Sequence, residues 1–129
     1  MKNQDKHPAR DWDFILSICI PTYSRATLLQ HTLDSIIHES VFQLHEVEVV
    51  ISDNVSKDNT EEIAKRYVNQ YPDRIRYHRH DAPIDPHFNY EYALNMGSGR
   101  FLKLNNDNIS FLPGGLDRLV KDLEEYESL

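Results

Sequence analysis

Apolar residues along this chain alternate between short continuous runs and a helical rhythm of threes and fours. Phe14-Ile15-Leu16-Ser17-Ile18-Cys19-Ile20 is a nearly unbroken apolar run stopped by Pro21, the pattern of a strand covered on both faces. Ser24 then stands where it can cap a helix whose apolar positions Leu29, Leu33, Ile36 and Ile37 recur at helical spacing. Val47 to Ile51 predicts a second strand, with Ser52 to Asn59 as its polar exit loop. Asp58 with Glu61 three residues later has the form of a capping box, opening a helix with Ile63, Tyr67 and Tyr71 on one face.

Arg74 to His80 predicts a third strand, in which Ile75 and Tyr77 alternate with Arg76 and His78. Asp85-Pro86 is a helix start, an N-cap followed by proline at the first helical position. Phe88, Tyr92 and Met96 give that helix an apolar stripe, and Gly97-Ser98-Gly99 ends it. Phe101 to Leu104 is a fourth strand, and Leu116, Leu119, Val120 and Leu123 mark a last helix before an acidic tail.

The order βαβαβαβ followed by α predicts an α/β fold, a mostly parallel sheet with helices on both faces. In such sheets ligands bind beyond the carboxyl ends of the strands. The residues just after strands one, two and four therefore matter most. They are Pro21-Thr22-Tyr23, Asp53-Asn54 and Asn105-Asn106-Asp107-Asn108.

Composition narrows the function. The 129 residues fit one domain, expected over 14–129 behind a polar tail at 1–13. The formal charge of −7 argues against wrapping nucleic acid, which needs clustered Lys and Arg. Cys19 is the single cysteine, so no intrachain disulfide forms and a buried apolar role is expected for it. No apolar h-region opens the chain and no run approaches the roughly 20 apolar residues of a membrane span. A soluble, cytoplasmic protein is expected.

The strand-end loops resemble the motifs of family 2 glycosyltransferases. Ser17-Ile18-Cys19-Ile20-Pro21-Thr22-Tyr23-Ser24-Arg25 looks like the family's opening strand, usually written with Ile-Pro-Thr-Tyr-Asn-Arg. Val49 to Thr60 resembles its second strand and Asp-Asn-x-Ser-x-Asp-x-Thr loop. Ile84-Asp85-Pro86-His87-Phe88-Asn89 is similar to a segment that normally opens with Gly; Pro83 stands where Gly is frequent. Gly99 to Leu104 leads into Asn105-Asn106-Asp107-Asn108, where the family has its Asp-x-Asp metal motif. Phe111-Leu112-Pro113-Gly114-Gly115-Leu116 resembles the usual Leu-Pro-Gly-x-Leu exit. These motifs in the right order, each at a strand or helix end, make the resemblance specific over about residues 14 to 120.

The resemblance implies a Rossmann-like GT-A domain binding a UDP- or dTDP-sugar, with Mg²⁺ or Mn²⁺, for transfer to an acceptor in cell-surface polysaccharide or glycoconjugate synthesis. Such a cation stabilises the leaving diphosphate by neutralising its developing charge. Asp107 is then the metal-facing carboxylate. Asn105 stands where the family commonly has Asp; its amide oxygen can accept a metal contact but brings no charge. Asp53 would accept the imide N–H of the base, Thr22 and Tyr23 would flank the base, and Arg25 would approach phosphate. Pro21, Asn54, Asp85, Asn89 and Asn106 complete the implied donor site.

Each of these residues also has a plainer reading. Asp53 can be an Asx-turn residue leaving a strand, Asp85 a helix N-cap, and Asn105 to Asn108 a turn rich in turn-forming residues. His78 and His80 share a strand face and, with His87, form a rival metal set that lacks a matching partner pattern. A phosphoacceptor receiver would need an acidic pair where Pro21-Thr22 stands, and no Gly-rich loop follows the first strand as in dinucleotide-binding domains.

The family's general base lies well beyond the metal loop, and no counterpart is found here. Glu124, Glu125 and Glu127 look like a solvated helix face. The alternative function is therefore a catalytically incomplete nucleotide-sugar-binding module that lacks the acceptor half. A truncated sheet with an open edge favours association with a copy of itself or a partner subunit.

Overall fold

The computed structural model describes residues 11–129. Of the tail expected at 1–13, residues 1–10 lie outside the described residues, and Trp12 packs against the core. The elements are β1 (Leu16–Thr22), α1 (Ala26–Ile37), the single-turn α2 (Ser40–Gln43), β2 (Val47–Asp53) and α3 (Thr60–Gln70). They continue with β3 (Ile75–Arg79), α4 (Pro86–Met96), β4 (Phe101–Leu104) and α5 (Gly115–Glu127). The four strands are parallel in the order β3-β2-β1-β4, so the chain reverses its direction of travel across the sheet between β3 and β4. This places a topological switch point between β1 and β4, where ligands of open α/β sheets bind.

Every residue of β1 and β2 is buried, as their apolar runs predict for central strands. One face packs against α1, α2, α3 and α5 through Ile18, Ile20, Val49, Ile51, Leu29, Leu33, Phe42 and Leu116. On the other face α4 is the one helix among the described residues, and there Cys19, Val50 and Ala93 form a small cluster. Burial, and next the charge of Glu48, push the Cys19 thiol up to about 12, which fits an apolar role.

The structure corrects four local expectations. β1 does not stop before Pro21 but runs through it to Thr22, paired with Asp53. The Cys19 carbonyl bonds on the β4 side, so Pro21 faces that side too, one step past the last β1–β4 pair, Cys19↔Leu104. Its missing N–H therefore costs no ladder bond. Ser24 does not cap α1; the N-cap position is Arg25, and the Ala26 N–H is taken by Asp58 Oδ2 at 3.1 Å. Asp58 forms no box with Glu61: α3 begins at Thr60, whose N–H and hydroxyl both reach Asp58 Oδ1. One carboxylate thus serves two helix starts.

The fourth correction concerns α4. Its inward face centres on Asn89 and Ala93, with Leu94 and Met96 partly buried beside them; of the expected stripe Phe88, Tyr92 and Met96, Phe88 and Tyr92 are exposed. Beside the small apolar patch of Cys19 and Val50, the sheet surface beneath carries the polar Ser17, Glu48 and Ser52, which a small and an amide side chain suit better than aromatic rings. Glu48, buried on β2, accepts from Ser17 Oγ at 2.6 Å, from Ser98 N at 2.7 Å and Oγ at 2.8 Å, and from Arg76 at 3.0 Å. It ties the turn between α4 and β4 to the sheet.

Burial pushes the Glu48 carboxyl up, but those hydrogen bonds and the Arg76 charge outweigh it and hold the group below its ordinary 4.5. Its stabilisation is therefore complete above the unfolded value and lost as pH falls through the lower folded one. Glu48→Gln turns one acceptor into a donor facing donors, and should cost about 2 kcal/mol in urea unfolding at neutral pH. The gap between variant and wild type should narrow in the same titration run in acid. An undiminished gap at low pH would show that the loss is one of packing.

Candidate functional site

A cleft of about 900 Å³ opens at the carboxyl ends of the strands. Of the residues singled out from the sequence, Pro21, Thr22, Tyr23, Arg25, Asn54, Asn89, Asn106 and Asp107 line it. Asp53, Asp85 and Asn105 do not. Lys57 and Arg79 add cations, and Pro83, Ile84, Pro86 and Tyr90 form the opposite wall. The strand-end rule applied to strands one, two and four missed the end of β3, where Arg79 and the Pro83–Ile84 segment enter.

The loops after β1 and β2 are stitched to each other. Ser24 N–H donates to Ser56 Oγ at 2.7 Å, and Lys57 N–H donates to Ser24 Oγ at 2.9 Å. Ser56 in turn donates its hydroxyl to Asp53 Oδ1 at 2.5 Å, beside its backbone N–H at 3.0 Å. Both loops use left-handed non-glycine residues, Ser24 at φ 52° and Val55 at φ 60°. That conformation is costly for a β-branched residue and persists here because the bonds of Ser56 fix the next peptide.

Asp53 is fully buried. Besides Ser56, it receives the Tyr77 hydroxyl at 2.5 Å on Oδ2, and Arg79 Nη1 lies 3.7 Å away. Burial first, then the hydrogen bond to Asp53, raise the Tyr77 hydroxyl well above its ordinary value. Asp53 thus takes the Asx-turn role and braces the cleft from behind. Asn54 is also spent locally, its amide donating to the Ile84 carbonyl at 2.8 Å and accepting from the Ile84 N–H at 2.9 Å. Asp85 caps α4 through the His87 N–H at 2.9 Å.

Asp107 is the one carboxylate on the cleft wall among the described residues. Thr22 Oγ1 donates to its Oδ2 at 2.8 Å, Thr32 Oγ1 holds its backbone carbonyl at 2.7 Å, and Arg25 Nη1 stands 3.5 Å from Oδ1. Burial raises its pKa above the ordinary 3.8, against the pull of Thr22, Arg25 and the Tyr23 N–H. Asn105 is turned away. Its Oδ1 accepts from Lys103 Nζ at 2.7 Å, and its amide donates to the carbonyls of Asn106 at 3.0 Å and Ile109 at 3.1 Å. A carboxylate could not make the last two bonds. Asn105 therefore shapes the loop and offers no oxygen to a cation in the cleft.

The histidines do not assemble a metal site. His80 is buried, with Nε2 3.0 Å from Ser52 Oγ and 2.9 Å from Asn89 Oδ1, and His78 stacks on Tyr92. His87 pairs instead with Glu91 on α4. Among the described residues no group of three or more His, Cys, Asp or Glu is placed to hold a metal ion. Glu124, Glu125 and Glu127 are exposed on α5, with Glu127 bonded to Arg100. Among the described residues no helix is long and apolar enough to cross a membrane.

Residues 17–128 match the family model for glycosyl transferase family 2. The chain is 33% identical over 108 residues to abequosyltransferase RfbV of Salmonella typhimurium, covering 84% of this chain and 30% of that protein. It is 28% identical over 111 residues to the GalNAc(5)-diNAcBac-PP-undecaprenol beta-1,3-glucosyltransferase of Campylobacter jejuni, covering 85% and 35%. Among solved structures, S. aureus TarS 1–349 in complex with UDP superposes with TM-score 0.76 at 22% identity, over 87% of this chain and 32% of that one. Mannosyltransferase PcManGT from Pyrobaculum calidifontis, in complex with GDP-Man and Mn²⁺, superposes with TM-score 0.72 at 21% identity, over 88% and 35%. The chain thus spans about a third of the length of the relatives it matches. With its parallel sheet, its cleft at the strand ends and its motifs at the cleft wall, it belongs to glycosyl transferase family 2 and has a GT-A fold.

Proposed function

We propose that the cleft binds the nucleoside diphosphate of a sugar donor, UDP or dTDP, for transfer to an acceptor in polysaccharide or glycoconjugate synthesis. The observation that carries this reading is the cleft itself, with the Tyr23 ring on one side, Arg25, Lys57 and Arg79 around it, and a single carboxylate, Asp107. An exposed aromatic ring offers a face to the base, and guanidinium groups match phosphate oxygens.

Asp107 fits a divalent cation of limited demand. Mg²⁺-like ions are held by one or two carboxylates together with substrate phosphates, and one carboxylate is what the wall supplies. Bound there, the ion would neutralise charge on the departing diphosphate. Thr22 and Thr32 orient Asp107 for that task, and Asn105 takes no part. Asp53 enters mainly by fixing Ser56 and Tyr77; it meets a base imide N–H only where Tyr77 yields its place on Oδ2. Asp85 sets the start of α4, which carries Pro86, Asn89 and Tyr90 into the wall.

A second reading is favoured by the lack of any other carboxylate on the wall among the described residues. It is a module that holds the nucleotide sugar without turnover, for which a second carboxylate to deprotonate an acceptor hydroxyl is not needed. Donor hydrolysis or transfer by the purified chain would exclude it.

Calorimetric titration with UDP, dTDP and GDP, with and without Mn²⁺, tests the donor site. UDP or dTDP should bind, and Tyr23→Ala should weaken that binding about tenfold through lost stacking, with little change in thermal stability. Tighter binding of GDP would overturn the base assignment, and no binding by folded protein would overturn the site. Asn54→Ala should leave the Ile84 N–H and carbonyl without partners. The expected result is a stability loss of about 1–2 kcal/mol and faster hydrogen exchange at the Ile84 amide than in the wild type. Unchanged exchange at Ile84 would remove the clamp from this account.

A further inference from the structure

We infer that Arg25 is a lock on Asp107, a built-in cation that keeps a free divalent ion off the carboxylate until the ion arrives with a diphosphate. The pairing is read from this chain's own residues; only the diphosphate rests on the donor-site reading above.

Asp107 has little freedom. Thr22 engages Oδ2 and Thr32 engages the backbone carbonyl, so the carboxylate cannot turn to present a different oxygen. The remaining oxygen, Oδ1, faces Arg25 at 3.5 Å. A metal ion that takes Oδ1 from the cleft competes with the guanidinium for that oxygen.

Arg25 is built to leave it. Its side chain is 52% exposed against 7% for Asp107, and no other acceptor among the described residues holds the guanidinium. At 3.5 Å the contact is an ion pair without the bidentate fork that makes Arg–carboxylate pairs strong. Arg79 makes the contrast, since its Nη1 is tethered to the Ser56 carbonyl at 3.0 Å and lies close to Asp53. Half-exposed pairs are weak enough to exchange.

The donor set explains the ordering. Asn105 supplies nothing to the cleft, so a lone ion would have one carboxylate and would have to displace a guanidinium that then finds no new partner. A diphosphate changes both sides of that exchange. Its oxygens complete the ion's shell, and they accept the released guanidinium in bidentate geometry. Metal and nucleotide should therefore strengthen each other's binding, by equal factors.

Mn²⁺ binding can be read directly from loss of the free-ion electron paramagnetic resonance signal, using the full chain without and with UDP. Without nucleotide, Arg25→Gln should bind Mn²⁺ about three- to tenfold more tightly than wild type. Lys121→Gln removes the same charge from the exposed face of α5, outside the cleft, and should stay within about twofold of wild type. Adding Asp107→Asn to Arg25→Gln should abolish the gain. With UDP present, the advantage of Arg25→Gln should shrink, because the wild-type guanidinium then has a phosphate to hold. Arg25→Met serves if the glutamine variant unfolds early. No gain in either Arg25 variant, an equal gain in Lys121→Gln, or a gain that survives Asp107→Asn would overturn the lock. Failure of the donor reading appears separately, as absence of any effect of UDP while the metal-only series still reports on Arg25.

Discussion

Four donors converge on one buried carboxylate where β2 leaves the sheet. Asp53 takes the Ser56 N–H and hydroxyl on one oxygen and the Tyr77 hydroxyl on the other, with Arg79 alongside. A charge with no exposed surface is tolerated only when it is surrounded in this way. Much of the cleft follows from it. Ser56, fixed by Asp53, accepts from Ser24 and so sets the β1 loop; its carbonyl anchors Arg79. Asn54, one residue on, grips the Ile84 backbone across the cleft. Three strand ends are thereby registered by contacts that begin at a single side chain.

The sheet itself is asymmetric, and the asymmetry serves the same end. One face is apolar and carries most of the helices, which supplies the hydrophobic stabilisation. The face under α4 is mostly a set of hydrogen bonds, with Glu48 at the amino end of β2 and Ser52, His80 and Asn89 at its carboxyl end. Hydrogen bonds have direction where apolar packing does not, so they fix where α4 sits along the strands. That position decides which residues of α4 reach the cleft: Asn89 with its polar end held by Ser52 and His80, and Tyr90 beside it. The two ends of β2 thus act on one helix, through Ser98 behind it and Asn89 in front.

Element order and the parallel sheet were legible in the sequence because the central strands are nearly continuous apolar runs, a signal that needs no partner to interpret. The cleft loops were legible because strand ends of such sheets form the clefts, and eight of the eleven residues named from the sequence line this one. What stayed hidden was side-chain direction. Asn105 and Asp107 are two apart in one loop, yet one faces the cleft and the other faces Lys103 and Ile109. The α4 stripe misled at Phe88 and Tyr92 because the hydrophobic pattern predicts an apolar partner along the whole helix, and the apolar patch beneath is small and flanked by polar groups. Asp58 is exposed and looks like a local cap; its bond to Ala26 spans 32 residues, beyond what a four-residue capping template can find.

Charge gives the last step. The chain carries a formal −7, which alone would repel a diphosphate. Its acids are placed so that the cleft does not inherit this sign. Glu48 and Asp53 are buried and already bonded to their own donors, Glu39 spends both oxygens on the N–H groups of Gly114, Leu116 and Asp117, and Glu61 and Glu62 face Lys65 and Arg66 along α3. The wall keeps Arg25, Lys57 and Arg79 against one carboxylate, and that carboxylate is itself paired. Within a Debye length of about 8 Å at physiological salt, the local sign decides what enters. An acidic protein therefore presents a cationic cleft, and the same pairing that hides Asp107 from a bare cation leaves the cleft suited to an anion.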